Sequence, residues 1–345
     1  MTSEPVELRS DTFTTPTPEM RRAMADAEVG DDVWGEDPTA IALEAHCAEL
    51  FGKEAGLFVP SGTMGNEASL KVLTRPGDEV IAEAASHIVL YESGGPAVLA
   101  GVMVRTVVAL DGRMDPAAVQ QLIDAANPHT SRPTLVWIEN THNARGGRAL
   151  SLEDVRALGA VARGAGIGVF MDGARIFNAS VACGVPVASY AAEVDALSFC
   201  FSKGLGAPIG SMVVGSEAFI ADLRRVRQLL GGGMRQVGVL CAAARVAVDT
   251  MVERLADDHA NARRLAEGFA DALPGSVHLE AVDTNMVFAD VGDRDVEQVV
   301  DAMAADGVHV ASVAPGAFRA VTHKDVTAAG IERAIASFSG AVAAS

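Results

Sequence analysis

Apolar residues fall along this chain in two alternating rhythms. Short continuous apolar runs, bounded by glycine, proline or polar clusters, predict buried strands at 56–59, 79–82, 102–110, 134–138, 167–171, 195–201 and 211–214. Between them, apolar positions three and four apart predict helices over 41–51, 116–126, 151–164 and 217–230, with another ending at Leu73. Thr17 caps a short predicted helix through Met24, and Ser151 and Asp154 stand at capping-box spacing, with aspartate in place of glutamate. After Gly231-Gly232-Gly233 a long helical stretch runs to about Leu273. Strands that alternate with helices up to about residue 215 predict an α/β architecture, a mostly parallel seven-stranded sheet wrapped by helices.

Beyond Pro274-Gly275 the rhythm shortens. Strands are expected at 277–281, 285–289, 308–313 and 317–321, and helices at 296–305 and 326–342. The expected division is an N-terminal arm (1–18), a large domain (19–250) and a smaller C-terminal α/β domain (251–345). The net charge of −18, with arginines scattered rather than clustered, disfavours nucleic acid as a partner. Four cysteines without metal or redox spacing fit a reduced compartment, and no metal site is expected. The polar, acidic N-terminus lacks a signal-peptide pattern and no apolar run is long enough for a bilayer, so the expectation is a cytoplasmic protein with no membrane partner.

The most informative stretch is 195–211, DALSFCFSKGLGAPIGS. A core strand breaks at Ser202-Lys203 into a loop where glycines permit close approach. The chain has only four lysines, Lys53, Lys71, Lys203 and Lys324, so one placed here is not explained by solubility. Desolvation at a strand end lowers an ammonium pKa, and a neutral amine condenses with a carbonyl cofactor. Three other segments are weak alone. Pro60-Ser61-Gly62-Thr63 opens a helix, where free amides suit a phosphate or simply an N-cap. Asp172 follows a buried strand and needs a cationic partner. His87 opens an element after a strand, and Glu139-Asn140-Thr141-His142-Asn143 places polar groups at a strand's carboxyl end, where open α/β sheets bind ligands. Together they match pyridoxal phosphate, which needs an amine, a carboxylate for its ring nitrogen, a phosphate cradle and a group stacked on the ring. Lys203, Asp172, Gly62 with Thr63, and His87 supply one of each.

The motifs LRSDT, GDDVWGEDPT, FVPSGTMGN, ENTHN, MDGAR, FSKGLGAPIGS, GGGMRQ and RAVTHKD, in that order from about Leu8 to Asp325, resemble the low-specificity L-threonine aldolases among the fold-type I pyridoxal-phosphate enzymes. The resemblance implies retro-aldol cleavage of L-threonine, L-allo-threonine or a related β-hydroxy-α-amino acid, phenylserine included, to glycine and an aldehyde. It also implies a homotetramer, a dimer of dimers with sites at subunit interfaces. By position it makes Lys203 the lysine that condenses with the cofactor, Asp172 the ring-nitrogen partner and His87 the stacking residue. Gly62 and Thr63 become phosphate ligands, and Arg235 a cofactor-site contact, from the same subunit or its neighbour. Ser10, Arg175 and Arg319 become holders of the substrate carboxylate, and His142 a second histidine near the substrate hydroxyl. Two positions depart from the family's usual residues: Trp34 stands in place of a tyrosine, and Gln228 in place of a lysine directed at the phosphate, whose charge Arg227 or Arg235 is a candidate to replace. Transamination or β-elimination on the same lysine and aspartate is the alternative reaction, and a non-catalytic pyridoxal-phosphate-binding protein the alternative class.

Overall fold

The computed structural model describes residues 4–344. In chain order its strands are β1 (Val6–Glu7), β2 (Ala55–Val59), β3 (Asp78–Glu83), β4 (Met103–Val107), β5 (Arg132–Glu139), β6 (Gly168–Asp172), β7 (Ala196–Cys200), β8 (Ser211–Gly215), β9 (Met286–Asp290), β10 (Val308–His309), β11 (Ala311–Ala314) and β12 (Ala317–Val321). Seven of them form one sheet in the order β2-β8-β7-β6-β5-β3-β4. β8 runs antiparallel to both its neighbours, and every other pair is parallel. All residues of β3, β7 and β8 are buried, which is why these strands read as continuous runs rather than alternations.

Helices cover both faces. On one, Phe51 stacks on Phe199 at 4.7 Å between ring centroids; on the other, Trp137 stacks on Phe170 at 4.4 Å. The predicted capping box at Ser151 and Asp154 is formed at the start of helix Leu152–Ala165. Helices Ile176–Cys183 and Val187–Ala191 have no counterpart in the sequence reading. They are short and largely apolar, so no polar face marks their period. The long stretch before Leu273 is two helices, Gly238–Thr250 and Leu255–Ala272.

In the smaller domain β11, β12 and β9 form an antiparallel sheet backed by helices Leu255–Ala272, Val296–Ala305 and Ala328–Ala344. Its core centres on Phe269, Phe318 and Phe338, with ring centroids 4.4, 5.6 and 5.7 Å apart. Residues 277–281, expected as a strand, contain only a 3-10 turn, Leu279–Ala281. Val277 and Leu279 both pack on this core, so the alternation records burial without strand pairing. The N-terminal arm belongs to the same body: β1 pairs with β10, and Val6 and Leu8 are buried in the smaller core. The arm then crosses to the large domain through the 3-10 turn Asp11–Phe13. Among the described residues no helix is long and apolar enough to cross a membrane.

Because β3, β5, β6 and β7 are parallel, their carboxyl ends share one edge. Glu83, Glu139 and Asp172 end the first three strands, and Lys203 follows the fourth.

Candidate active site

The loop after β7 is closed by backbone hydrogen bonds: Phe201 N donates to Gly210 O at 3.0 Å, and Gly206 N to Lys203 O at 2.8 Å. Gly210 has φ of 105°, and a Cβ there would meet the Phe58 ring at 2.3 Å, so only glycine fits. This loop presents Lys203 to two adjoining cavities of about 470 and 220 Å³. Both are also lined by His87, Asp172 and Ala174. No carboxylate of the described residues pairs with the Lys203 ammonium.

Asp172 is buried but fully engaged. Oδ2 accepts from Asn66 Nδ2 at 2.8 Å, and Oδ1 from the Ala174 backbone at 3.0 Å. Asn66 is itself fixed by Ser198 Oγ, which donates to its Oδ1 at 2.8 Å, and by its second donation to Glu92 Oε1 at 2.7 Å. His87 Nδ1 lies 2.7 Å from the same Glu92 oxygen. Burial pulls the His87 pKa down, but the hydrogen bond to Glu92 and the charge of Asp172 outweigh it and leave it raised. The His87 backbone donates to Glu139 Oε2 at 2.6 Å, and the Asn143 backbone to Glu139 Oε1 at 2.8 Å. One buried carboxylate therefore fixes both the histidine and the loop carrying Asn143.

The smaller cavity opens in front of a helix start. Ser61 caps helix Gly62–Leu73, its Oγ accepting from Met64 N at 3.2 Å, and Pro60, Ser61, Gly62, Thr63, Cys200 and Ser202 line the space in front. A Cβ on Gly62 would meet Cys200 Sγ at 2.9 Å, so the helix start stands as near the strand as glycine permits. Free amides at such a start favour a phosphate.

At the other end of the larger cavity stand Ser10, Arg175 and Arg319. Ser10 Oγ accepts from Thr12 N at 3.2 Å. Arg175 is buried and forked on Asp11, with Nε donating to Oδ2 at 2.8 Å and Nη2 to Oδ1 at 2.6 Å. Arg319 has no such partner: Nη1 donates to Asn143 Oδ1 at 3.3 Å, Nη2 to Arg9 O at 3.0 Å, and its buried Nε to nothing. Burial, then the charge of Arg175, lowers its pKa. Arg175 Nη1 reaches the same Asn143 oxygen at 3.3 Å. Two guanidinium groups thus converge on one neutral amide, an arrangement that a guest carboxylate completes.

Two expected site residues lie elsewhere. His142 is buried behind the wall, 1% exposed, with Nε2 2.9 Å from Glu83 Oε2. Arg235 is a surface residue paired with Asp31 at 3.0 Å, away from both cavities. Arg227 is buried and committed to Asp32 (2.6 Å) and Phe58 O (2.8 Å), so it does not replace the charge missing at Gln228. Asn66, Glu92, Glu139, Asn143 and Asp11 were given no individual role from sequence. All but Glu92 sit within the motifs quoted above, but their roles depend on partners up to 274 positions away, as for Asp11 and Asn285.

Fold and site together define a fold-type I pyridoxal-phosphate enzyme: a mostly parallel sheet, a lysine after a central strand, a buried carboxylate with a histidine beside it, and an anion cup at a helix start. The beta-eliminating lyase family model matches residues 7–293. A probable low-specificity L-threonine aldolase of Arabidopsis thaliana is 45% identical over 340 residues, 96% of each chain. The low-specificity L-threonine aldolase of Escherichia coli K12 is 40% identical over 323 residues, 93% of this chain and 95% of its own. The solved threonine aldolase of Leishmania major superposes with a TM-score of 0.83 at 20% identity, covering 98% of this chain and all of that one, a likeness of fold. The chain belongs to the low-specificity L-threonine aldolase family.

Proposed function

We propose that this chain holds pyridoxal phosphate through Lys203 and splits L-threonine, L-allo-threonine or a related β-hydroxy-α-amino acid between Cα and Cβ, giving glycine and an aldehyde. The supporting observation is one cavity with Lys203, His87 and Asp172 at its floor and the Arg175–Asn143–Arg319 cluster at its far end. Bound there, the cofactor supplies the electron sink for the pair released by the breaking bond. Asp172 would hold the proton on the ring nitrogen, Gly62 and Thr63 would take the phosphate, and His87 would stand beside the ring. Arg319, with Ser10 and the field of Arg175, would hold the α-carboxylate and so orient the substrate for cleavage between Cα and Cβ. His142 supports this floor from behind, 3.9 Å from Glu139, while His87 or an ordered water receives the β-hydroxyl proton.

The direct test is to load the purified protein with pyridoxal phosphate and supply a panel of β-hydroxy-α-amino acids. Aldehyde and glycine in equal amounts are expected; keto acid or ammonia instead establishes the transamination or β-elimination alternative, and no product at all a binding protein. Arg319→Ala is expected to keep the visible spectrum of the bound cofactor and to weaken glycine binding at least about tenfold, the loss of one charge-assisted contact. Unchanged glycine affinity removes Arg319 from the carboxylate site.

The proposal includes a homotetramer, a dimer of dimers, in a cytoplasmic setting in keeping with four free cysteines. Trp34 and Leu229 stand 74% and 70% exposed, a large apolar surface to leave in water. Their loops pack together: Asp32 N donates to Arg235 O, and Gly232 lies against Met64, next to the anion cup. A second copy on this ridge brings Arg235 to its neighbour's cup. Trp34→Glu is expected to sediment as a smaller species with reduced activity; an unchanged assembly places the interface elsewhere.

A further inference from the structure

Two buried carboxyl groups lie behind the ring site; Glu92 has His87 as a partner, and no cationic side chain of the described residues pairs with Glu67. Glu67, on helix Gly62–Leu73, is 2% exposed, and neither of its oxygens meets a donor. Glu92 is 5% exposed; Oε1 holds both Asn66 Nδ2 and His87 Nδ1, and Oε2 meets no donor. The two groups face each other. Gly95 makes room for this pair, since a Cβ there would meet Glu67 Oε1 at 2.2 Å. Buried oxygens in van der Waals surroundings are costly without a hydrogen. An acid proton between the facing carboxyls supplies a hydrogen to both.

We propose that Glu67 is a positioning residue that carries this proton at neutral pH and donates it to Glu92, so that Glu92 stays an anion aimed at His87 and Asn66. The chain of contacts then has one polarity. Glu67 O–H donates to Glu92 Oε2; Glu92 Oε1 accepts from Asn66 and His87; the other hydrogen of the Asn66 amide goes to Asp172 Oδ2. His87 is thereby fixed as the Nδ1–H tautomer with Nε2 free, and Asp172 keeps an oriented donor beside its charge. This inference rests on the placement of the cofactor ring against Asp172 and His87.

Burial and then the charge of Glu92 push the Glu67 pKa up to about 8 from 4.5. A carboxyl raised on folding stabilises the native state fully below its unfolded value and loses that contribution as pH rises to the folded one. The groups around the pair are His87 on the following turn, Asp172 at the end of β6, Lys203 beyond it and uncharged Asn66; Gly95 offers backbone alone. The His87 pKa is raised as well, but a Glu67→Gln variant retains His87, so the difference between the two proteins reports on Glu67.

Three measurements on the full chain test this. Thermal midpoints of wild type minus Glu67→Gln, without cofactor, are expected to fall from pH 5 to about 8 and level off above. The dissociation constant of pyridoxal phosphate at pH 7, read from its visible band, is expected to stay within about threefold for Glu67→Gln, whose amide still donates. Glu67→Leu is expected to weaken it about tenfold or more, roughly one lost buried hydrogen bond to a charged group. Parallel pH profiles for wild type and Glu67→Gln overturn the proposal, as does wild-type cofactor affinity in Glu67→Leu. Should Glu67→Leu fail to fold, the glutamine comparison still decides. A wild-type protein that binds no pyridoxal phosphate removes the ring site itself, a separate outcome.

Discussion

Replacing Lys203 by alanine is expected to abolish the visible band of lysine-bound pyridoxal phosphate and to lower turnover at least about a thousandfold. No other lysine can substitute. Lys53 donates to Val194 O at 2.6 Å, Lys71 to Leu99 O at 2.8 Å, and Lys324 is paired with Asp325 at 2.6 Å. Lys203 alone among them lines the cavities. The helix start at Gly62 and the arginine cluster remain in place without Lys203, so the variant should still bind the free cofactor, with ordinary unbound-aldehyde absorption. The measurement is an absorbance titration with pyridoxal phosphate beside an aldehyde assay. A variant with the lysine-bound band and normal turnover would show that another amine does the chemistry.

Much of this site was legible because strand ends are legible. Lys203 and Asp172 follow fully buried runs, and a buried parallel strand writes itself as consecutive apolar letters whose abrupt end marks the ligand-binding edge. The helix start at Ser61 was legible for a similar reason, since small and hydroxyl residues before an amphipathic pattern have few other uses. What could not be read was pairing across the chain. His142 and His87 look alike as single histidines after strands. Only the fold shows that the Glu139 carboxylate holds the His87 backbone while the His142 ring turns to Glu83 behind the wall. Nothing in the sequence sets Glu67 apart; room for its carboxyl depends on Gly95, which comes from another element. The arm gave the same lesson in reverse. Leu8-Arg9-Ser10-Asp11-Thr12 is too short and polar for periodicity to show that Leu8 anchors in one domain and Asp11 in the other.

Asp11 carries the second large expectation. It is fully buried, its two oxygens hold Arg175, and Asn285 Nδ2 adds a weak third donor at 3.4 Å. Burial opposes its charge, yet the field and hydrogen bonds of Arg175 more than offset this and hold the carboxyl well below the ordinary range. A depressed carboxyl stabilises the fold at every pH above its unfolded value and loses that contribution as pH falls through the folded one, so the pair protects the protein in mild acid. Asp11→Ala leaves a guanidinium, 5% exposed, without a counter-charge. Removing one member of a buried pair costs roughly 3–5 kcal/mol, which a denaturant midpoint resolves easily. The double variant Asp11→Leu with Arg175→Leu is expected to be less destabilised than either single change, because the penalty belongs to the unpaired charge rather than to the lost attraction. Glycine binding discriminates further. If Arg175 acts on the substrate only through its field and Arg319 makes the direct contact, Asp11→Ala frees the Arg175 fork to compete for the carboxylate and glycine affinity is retained or rises, measured where the variant is still folded. A fall in glycine affinity with the fold intact would instead show that Asp11 holds Arg175 in the one orientation that binds.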